Sequence, residues 1–299
     1  MTAASDLSVI ILAQDEAPHI ARCIASVRGL AARIIVVDSG STDDTPAIAA
    51  AAGAEVVHHG WTNYAQQFNW AIDNCGIDSG WTMRLDADEV VTPALAAKLA
   101  GFIHSGPADP SVAGASIDRA IHFLGRKIRW GGMYPTQVVR LWRSGKGRVE
   151  NRWMDEHVLV DGAIVHIPGE IADINLNSIG WWTAKHNGYA TREAIDQLTL
   201  DGNVVLAGEI GRQARRKRWL KDNLYAHLPL GLRPLLYFLY RYILLLGFLD
   251  GWQGLAFHGL QGLWYRFLVD VKIAELKALV KSRGQDLATV VFDEYGHRL

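Results

Sequence analysis

The sequence predicts an α/β fold in which a mostly parallel central sheet is flanked by helices and followed by a helical C-terminal extension. Three features carry that prediction. Apolar runs of strand length alternate with segments of helical pattern through the first third of the chain. Acidic residues follow those runs, at Asp15, Asp38 and the pair Asp86 and Asp88. The last third changes character, with a basic stretch leading into helix rich in Leu, Tyr and Trp. A chain of 299 residues suffices for one large core or two modest domains. The pattern divides it at 1–105, 106–205 and 206–299.

Composition excludes several classes. A formal net charge of -1 gives no global pull toward nucleic acid. Cys23 and Cys75 show no metal-ligand spacing, which favours a reducing compartment over a disulfide framework. Residues 1–6 lack a basic n-region, and the apolar run after them is short, so it reads as a first strand and not a secretion signal. Eleven Trp, mostly after Ser79, suit sugar stacking, a membrane interface or core packing, and composition does not choose among the three.

In order, 7–12 is a nearly continuous apolar run, as expected of a strand buried on both faces of a parallel sheet. Pro18 suits the first position of a helix that runs to about Arg28 and is stopped by Gly29. A second strand, 33–37, ends at Asp38. The run Ser39-Gly40-Ser41-Thr42-Asp43-Asp44-Thr45-Pro46 then supplies turn and cap chemistry for a helix through Ala52. A third strand is expected over 55–58, a helix over 64–74 and a fourth strand from Trp81. Thr92-Pro93 opens a helix ending near Ile103.

The fourth strand ends in Asp86-Ala87-Asp88. Alternate residues of a strand share a face, so the two carboxylates point the same way with a small residue between them. That pair suits a hard divalent cation that also holds a phosphate. An Asp-x-Asp alone also arises as an ordinary polar turn. The wider pattern strengthens it, because in parallel sheets ligands bind beyond the carboxyl ends of the strands, where Asp15, Asp38 and Asp86/Asp88 all fall. No Gly-x-Gly-x-x-Gly follows the first strand and no P-loop is present.

Segment 7–16, the run from Val36 to Thr45, and Leu85-Asp86-Ala87-Asp88-Glu89 resemble, in this order and spacing, family 2 glycosyltransferases of the GT-A fold. They are most similar to the lipopolysaccharide-core glucosyltransferases and related cell-surface polysaccharide enzymes. The resemblance covers roughly 7–160, and the later Gly247-Phe248-Leu249-Asp250-Gly251-Trp252-Gln253-Gly254 adds to it. It implies a nucleotide-sugar donor, UDP-glucose above others, a divalent metal (magnesium or manganese) and inversion at the anomeric carbon. By resemblance 1–105 binds the donor and 106–205 the acceptor. Asp38 would read the base, Asp86 the ribose side and Asp88, with Asp86, the metal. Asp15, Glu16, Ser39 and Gln67 join the candidate nucleotide-binding set. The family usually carries Asn where this chain has Asp15, which weakens that assignment. Gln66, Gln67 and Asn69 also read as a solvated helix face.

Strands are expected over 115–124 and Thr136–Arg143, with a Gly145-Lys146-Gly147 turn after them. Inverting transfer needs a carboxylate to take the acceptor hydroxyl's proton, while metal and cationic groups stabilise the diphosphate. Within Met154-Asp155-Glu156-His157, the resemblance makes Glu156 the candidate base, with Asp155 the alternative. His157 or His166 would complete a metal shell, or each is a hydrogen-bonded structural His. Arg119, Arg126, Arg129 and Arg140 are candidate phosphate contacts, though each alone reads as a surface charge.

The C-terminal third begins with a helical pattern over 176–198. Residues 211–221 then hold Arg212, Arg215, Arg216, Lys217, Arg218 and Lys221 without an acid. The apolar run 228–249 reaches spanning length only if Pro229, Arg233, Pro234 and Arg241 are admitted. Tyr and Arg at intervals fit a helix lying in an anionic membrane interface better, and a buried helical hairpin is the alternative. The expectation is an enzyme at the cytoplasmic face of the plasma membrane, acting on a glycan or lipid-linked saccharide. Alternatives are a polyprenyl-phosphate glycosyltransferase and an inactive carbohydrate-binding scaffold on the same fold.

Overall fold

The computed structural model describes residues 6–151, 156–199 and 228–297, together with 211–213, 215, 216, 219 and 225. The first strands are β1 (Leu7–Ala13), β2 (Arg33–Asp38), β3 (Glu55–His58), β4 (Trp81–Asp86) and β5 (Glu89–Val91). Between them run helices α1 (Ile20–Val27), α2 (Thr45–Ala51) and α3 (Tyr64–Asn74). Then follow α4 (Pro93–Ser105), β6 (Val112–Phe123), β7 (Arg126–Lys127), β8 (Thr136–Arg143), β9 (Gly147–Val149), β10 (Val158–Val160), β11 (Ala163–Ile174) and α5 (Ile179–Thr199).

The main sheet has the order β3-β2-β1-β4-β8-β6-β11-β5, with β7 beside β6. From β3 to β4 every neighbour is parallel. β8 then inserts antiparallel to both β4 and β6, β11 pairs parallel with β6, and β5 returns antiparallel to β11. The α/β class, the sheet and the flanking helices expected of a GT-A domain are therefore present, with the parallel pairing concentrated in the first half.

The strand alternation decides the layers. Val9 and Ile11 of β1 pack with Ile20, Ile24, Leu95 and Leu99 on one face, while Ile10 and Leu12 pack with Phe68, Ala71 and Trp142 on the other. Because both faces are covered, all seven β1 residues are buried. The bounds of β3, α3 and β8 coincide with those expected. β10 pairs with β9 as a small separate ribbon, and β11 enters the main sheet.

The C-terminal unit packs Ala190, Ala194 and Ile195 of α5 against Tyr265, Val269, Ile273 and Leu276 of the long helix Tyr265–Arg283. Among the described residues no single helix is long and apolar enough to cross a membrane, and Leu232–Leu244 meets Gly247–Arg283 at 71°. Arg233 and Arg241, which interrupt the apolar run, face inward. Arg233 Nε donates to Asp270 at 2.7 Å, and Arg241 Nε donates to the Gly131 carbonyl at 2.9 Å. Their burial leaves Leu232, Leu235, Leu236, Leu239, Ile243 and Leu244 exposed on the outside.

Candidate active site

The loops after β1 and β2 clamp each other. Asp15 adopts a positive φ of 54°, a conformation that Asn and Asp tolerate better than most residues. Its carboxylate accepts from the Thr42 backbone N–H at 2.7 Å, and Glu16 N–H donates to Thr45 Oγ1 at 2.8 Å. Asp38, only 1% exposed, accepts from Gly40 N–H at 3.0 Å and Ser41 N–H at 3.1 Å and faces His58 Nδ1 at 3.1 Å. Burial would raise the Asp38 carboxyl, but the Ser41, Gly40 and His58 hydrogen bonds outweigh it and hold the group below its ordinary value. Asp38 thus shapes its own loop as well as standing at the strand end.

Glu16 turns toward a different element. Its Oε2 lies 2.6 Å from His19 Nδ1, and Leu176 N–H donates to His19 Nε2 at 2.8 Å. Since Nε2 accepts, the proton sits on Nδ1 and is given to Glu16. Buried His19 therefore ties the first loop to the segment after β11.

Around β4 the acids are packed with arginine. Tyr64 OH donates to Asp86 Oδ1 at 2.6 Å and Arg140 NH2 to Asp86 Oδ2 at 2.8 Å; Arg140 also bonds Glu89. Arg140 and Glu89 are 2% and 1% exposed, so Arg140 is no surface charge but the counterion at the base of the cluster. Burial works against the Arg140 charge, yet Asp86 and Glu89 outweigh it and raise its pKa. Burial likewise raises Asp86, but Arg140, Arg84 and the Tyr64 hydroxyl bring it far below the carboxylate range. Both Asp86 oxygens are thus held by protein groups.

Asp88 is differently placed. Among the described residues its side chain accepts one hydrogen bond, from Asn175 Nδ2 to Oδ2 at 3.1 Å. Its carbonyl accepts Ile174 N–H at 3.0 Å, which brings the end of β11 alongside. Asp173, on that strand, is pushed up to about 8 by burial first and Asp88 next, against the pull of Arg119 3.7 Å away. Lys185 of α5 completes the rim, 4.0 Å from Glu16 Oε1, with its ammonium 4.4 Å from the Trp181 ring centre. Burial would lower the Lys185 pKa, but Tyr189, Glu16 and Asp88 outweigh it and raise it.

Sequence reasoning missed Asp173, Asn175 and Lys185. They lie outside any motif and reach the cluster only through the β6–β11 pairing and the start of α5. Of the residues it named, Gln67 is fully buried: Oε1 meets His59 Nδ1 at 2.6 Å, and Nε2 donates to Ser39 Oγ at 3.1 Å. The solvated helix face expected there holds for exposed Gln66 alone, since Asn69 is half-buried against the Val149 backbone. Gln67 and Ser39 tie α3 to the β2 end. Glu156 sits half-buried just before β10, and Asp155 lies outside the described residues. His157 Nδ1 is 3.8 Å from Glu150, and His166 Nε2 is 3.5 Å from Asp118, so each faces an acid of its own neighbourhood. A cleft of about 360 Å³ opens beside this region between Trp61, Asn63, Thr191, Arg192 and Tyr295.

The Glycosyl transferase family 2 model matches residues 8–142, the span that contains both loops, the Asp86/Asp88 turn and Arg140. Over that span the chain is similar to family 2 glycosyltransferases. An uncharacterized glycosyltransferase of Rickettsia felis is 43% identical over 89 residues, 30% of this chain and 31% of that protein. The chain thus spans about a third of the length of such curated relatives. The lipopolysaccharide core biosynthesis glycosyltransferase LpsC of Rhizobium meliloti is 27% identical over 64% of this chain and 72% of its own length. Glucosyl-3-phosphoglycerate synthase from Mycobacterium tuberculosis, solved with Mn2+ and UDP-glucose, superposes with a TM-score of 0.42 at 16% identity, covering 68% of this chain and 83% of that one.

The family 2 resemblance implies a divalent cation, and the donors present fit a hard one. Asp88 offers carboxylate oxygen beyond its single bond to Asn175, and burial, with Asp88 next to it, pushes Asp173 up to about 8. Among the described residues no three His, Cys, Asp or Glu side chains form a cage. A magnesium-like ion held through one or two carboxylates, with substrate phosphates as further ligands, needs none. Asp88 would hold it, with Asp86 beside it, and it would supply positive charge to a diphosphate.

Proposed function

We propose that this chain transfers a sugar, with inversion, from a nucleotide-diphosphate donor to a glycan or lipid-linked saccharide of the cell envelope. The observation that carries the reading is the meeting of three strand ends with α5: Asp15 and Asp38 after β1 and β2, Asp88 after β4, and Lys185 over them. In the proposed reaction the base and ribose lie along Asp38 and Asp86, and the diphosphate lies between Asp88 and Lys185. Glu156 takes the proton of the acceptor hydroxyl, whose oxygen bonds to the anomeric carbon. The bond from that carbon to the diphosphate breaks, and the nucleoside diphosphate leaves with its electron pair. UDP-glucose is the favoured donor by sequence resemblance, and the lipopolysaccharide core role of LpsC supports an envelope saccharide as acceptor.

The apolar outer face of Leu232–Leu244 and its neighbours supports a location at an anionic membrane surface, which we assign to the cytoplasmic leaflet. Leu244 is 71% and Trp252 69% exposed, and single-sided exposure on this scale marks an interaction surface. Thermal unfolding in a panel of nucleotide-sugars, with and without manganese, tests the donor assignment. A UDP-sugar together with manganese should raise the Tm, and Asp38→Asn should lose that shift. A panel in which no nucleotide-sugar moves the Tm would count against it.

A further inference from the structure

We propose that the β6–β7 hairpin and the turn before Trp252 form a second binding site, which takes the phosphate of a membrane lipid headgroup and holds the enzyme in register with its acceptor. The inference rests on the membrane-surface part of the reading above and goes beyond it by naming a pocket and a ligand class.

A cleft of about 320 Å³ is lined by Arg126, Lys127, Arg129, Trp130 and Asp250. Its floor is built, not accidental. Buried Asp250, from the C-terminal unit, accepts the backbone N–H groups of Arg129 at 2.9 Å and Trp130 at 2.8 Å. Leu245 O accepts Gly131 N–H at 2.9 Å, and Phe257 packs on Phe123 and Ile128. Both amides donate to one oxygen, Asp250 Oδ2, and no ion pair joins that carboxylate to Arg126 or Arg129 among the described residues. Lys127 pairs with Glu170. The exposed Arg126 and Arg129 form no ion pair among the described residues. Two guanidinium groups without acid partners, beside an exposed indole, suit a phosphate with several free oxygens.

What surrounds the cleft selects the source of that phosphate. The Arg126 guanidinium reaches Gly251, where an added Cβ would lie 3.5 Å from it. Gly251 is flanked by Leu249, 45% exposed, and Trp252, 69% exposed, with Leu246 and Phe248 in the same turn. A soluble phosphate has no use for that apolar rim. The acyl chains below a headgroup do, and basic side chains next to buried apolar ones are the pattern of interfacial binding.

The pocket is also at a useful distance from the chemistry. Asp88 bonds Ile174, Ile174 pairs with His122, and His122 pairs with Lys127. Three strand spacings of about 4.8 Å separate Asp88 from Lys127 of β7 by roughly 15 Å along the sheet. A phosphate there is not the group that receives the sugar. It anchors a lipid surface while a saccharide reaches across to Asp88.

Flotation of the full chain with vesicles tests this without any donor sugar, so its failure leaves the transferase reading standing. The probes are phosphatidylcholine vesicles, the same vesicles doped with phosphatidic acid, and inorganic phosphate as competitor. Wild type should bind the doped vesicles more tightly, and Arg126→Gln with Arg129→Gln should lose that gain, on the order of tenfold or more, while keeping its binding to phosphatidylcholine. Arg212→Gln with Arg216→Gln removes equal charge from exposed positions outside the cleft and should lose less. An unchanged gain in the cleft variant, or an equal loss in the control, overturns the pocket. Displacement by inorganic phosphate at equal concentration overturns the lipid source. A wild type that binds neither vesicle overturns this inference and the membrane-surface reading together.

Discussion

Arg140 is the side chain on which the acid cluster depends, because one guanidinium neutralises two carboxylates, the buried Glu89 and the half-buried Asp86. Replacing it with Met keeps the volume and strands both charges. Breaking a buried pair from one side costs about 3–5 kcal/mol, so Arg140→Met should lower the urea midpoint sharply, and a near-unchanged midpoint would show the cluster is hydrated. Glu156 and Asp155 pose the other residue-scale question. One carboxylate suffices to take the proton of an acceptor hydroxyl, and the family resemblance favours Glu156 over Asp155. We expect Glu156→Gln to retain donor binding in a titration and lose transfer on the order of 10²-fold, with Asp155→Asn close to wild type. The reverse pattern would move the base to Asp155.

At the scale of elements, local patterns carried their own information and crossings did not. The limits of β3, α3 and β8 were legible because alternation, an Asn63 cap and flanking glycines are all written within a few residues. The acids at strand ends were legible for the same reason. Arg140 meets Asp86 across 54 positions and Asn175 meets Asp88 across 87, so both contacts exist only once β8 has inserted beside β4 and β11 beside β6. Arg233 and Arg241 count against a spanning helix in the sequence, but their inward pairing was not legible there, because their partners, Asp270 and Gly131, come from other elements. The packing of that unit has a pH signature. His258 is wholly buried between Gly131 and Gly247, and burial, then Arg241, brings it from 6.5 to about 4. Its folded pKa is depressed, so the unfolded chain binds the extra proton. The associated stability is present above about pH 6.5 and is lost as pH falls toward 4. Urea midpoints measured between pH 7 and pH 4.5 should fall, and His258→Phe should flatten that slope even if the larger ring lowers every midpoint. An identical slope in the variant would assign the acid sensitivity elsewhere.

For the whole molecule, a sheet domain that gathers three strand ends is joined to a helical unit in which Arg233 and Arg241 point in and the Leu232–Leu244 face carries apolar side chains outward. The join is made by α5, which shares a core with Tyr265–Arg283 at one end and places Lys185 near Glu16 at the other. In the proposed reading that arrangement would set the sugar chemistry beside a surface that meets a lipid-linked acceptor, and all of it rests on Asp88 acting at the donor diphosphate. Release of nucleoside diphosphate from UDP-glucose in manganese, by wild type and by Asp88→Asn, tests this most directly, because the substitution removes the charge and keeps the shape. The account predicts turnover by wild type, loss of at least about 10²-fold in the variant, loss on chelation, and an unchanged Tm without ligand. Equal turnover by the two proteins, or full wild-type activity after verified metal removal, would contradict it.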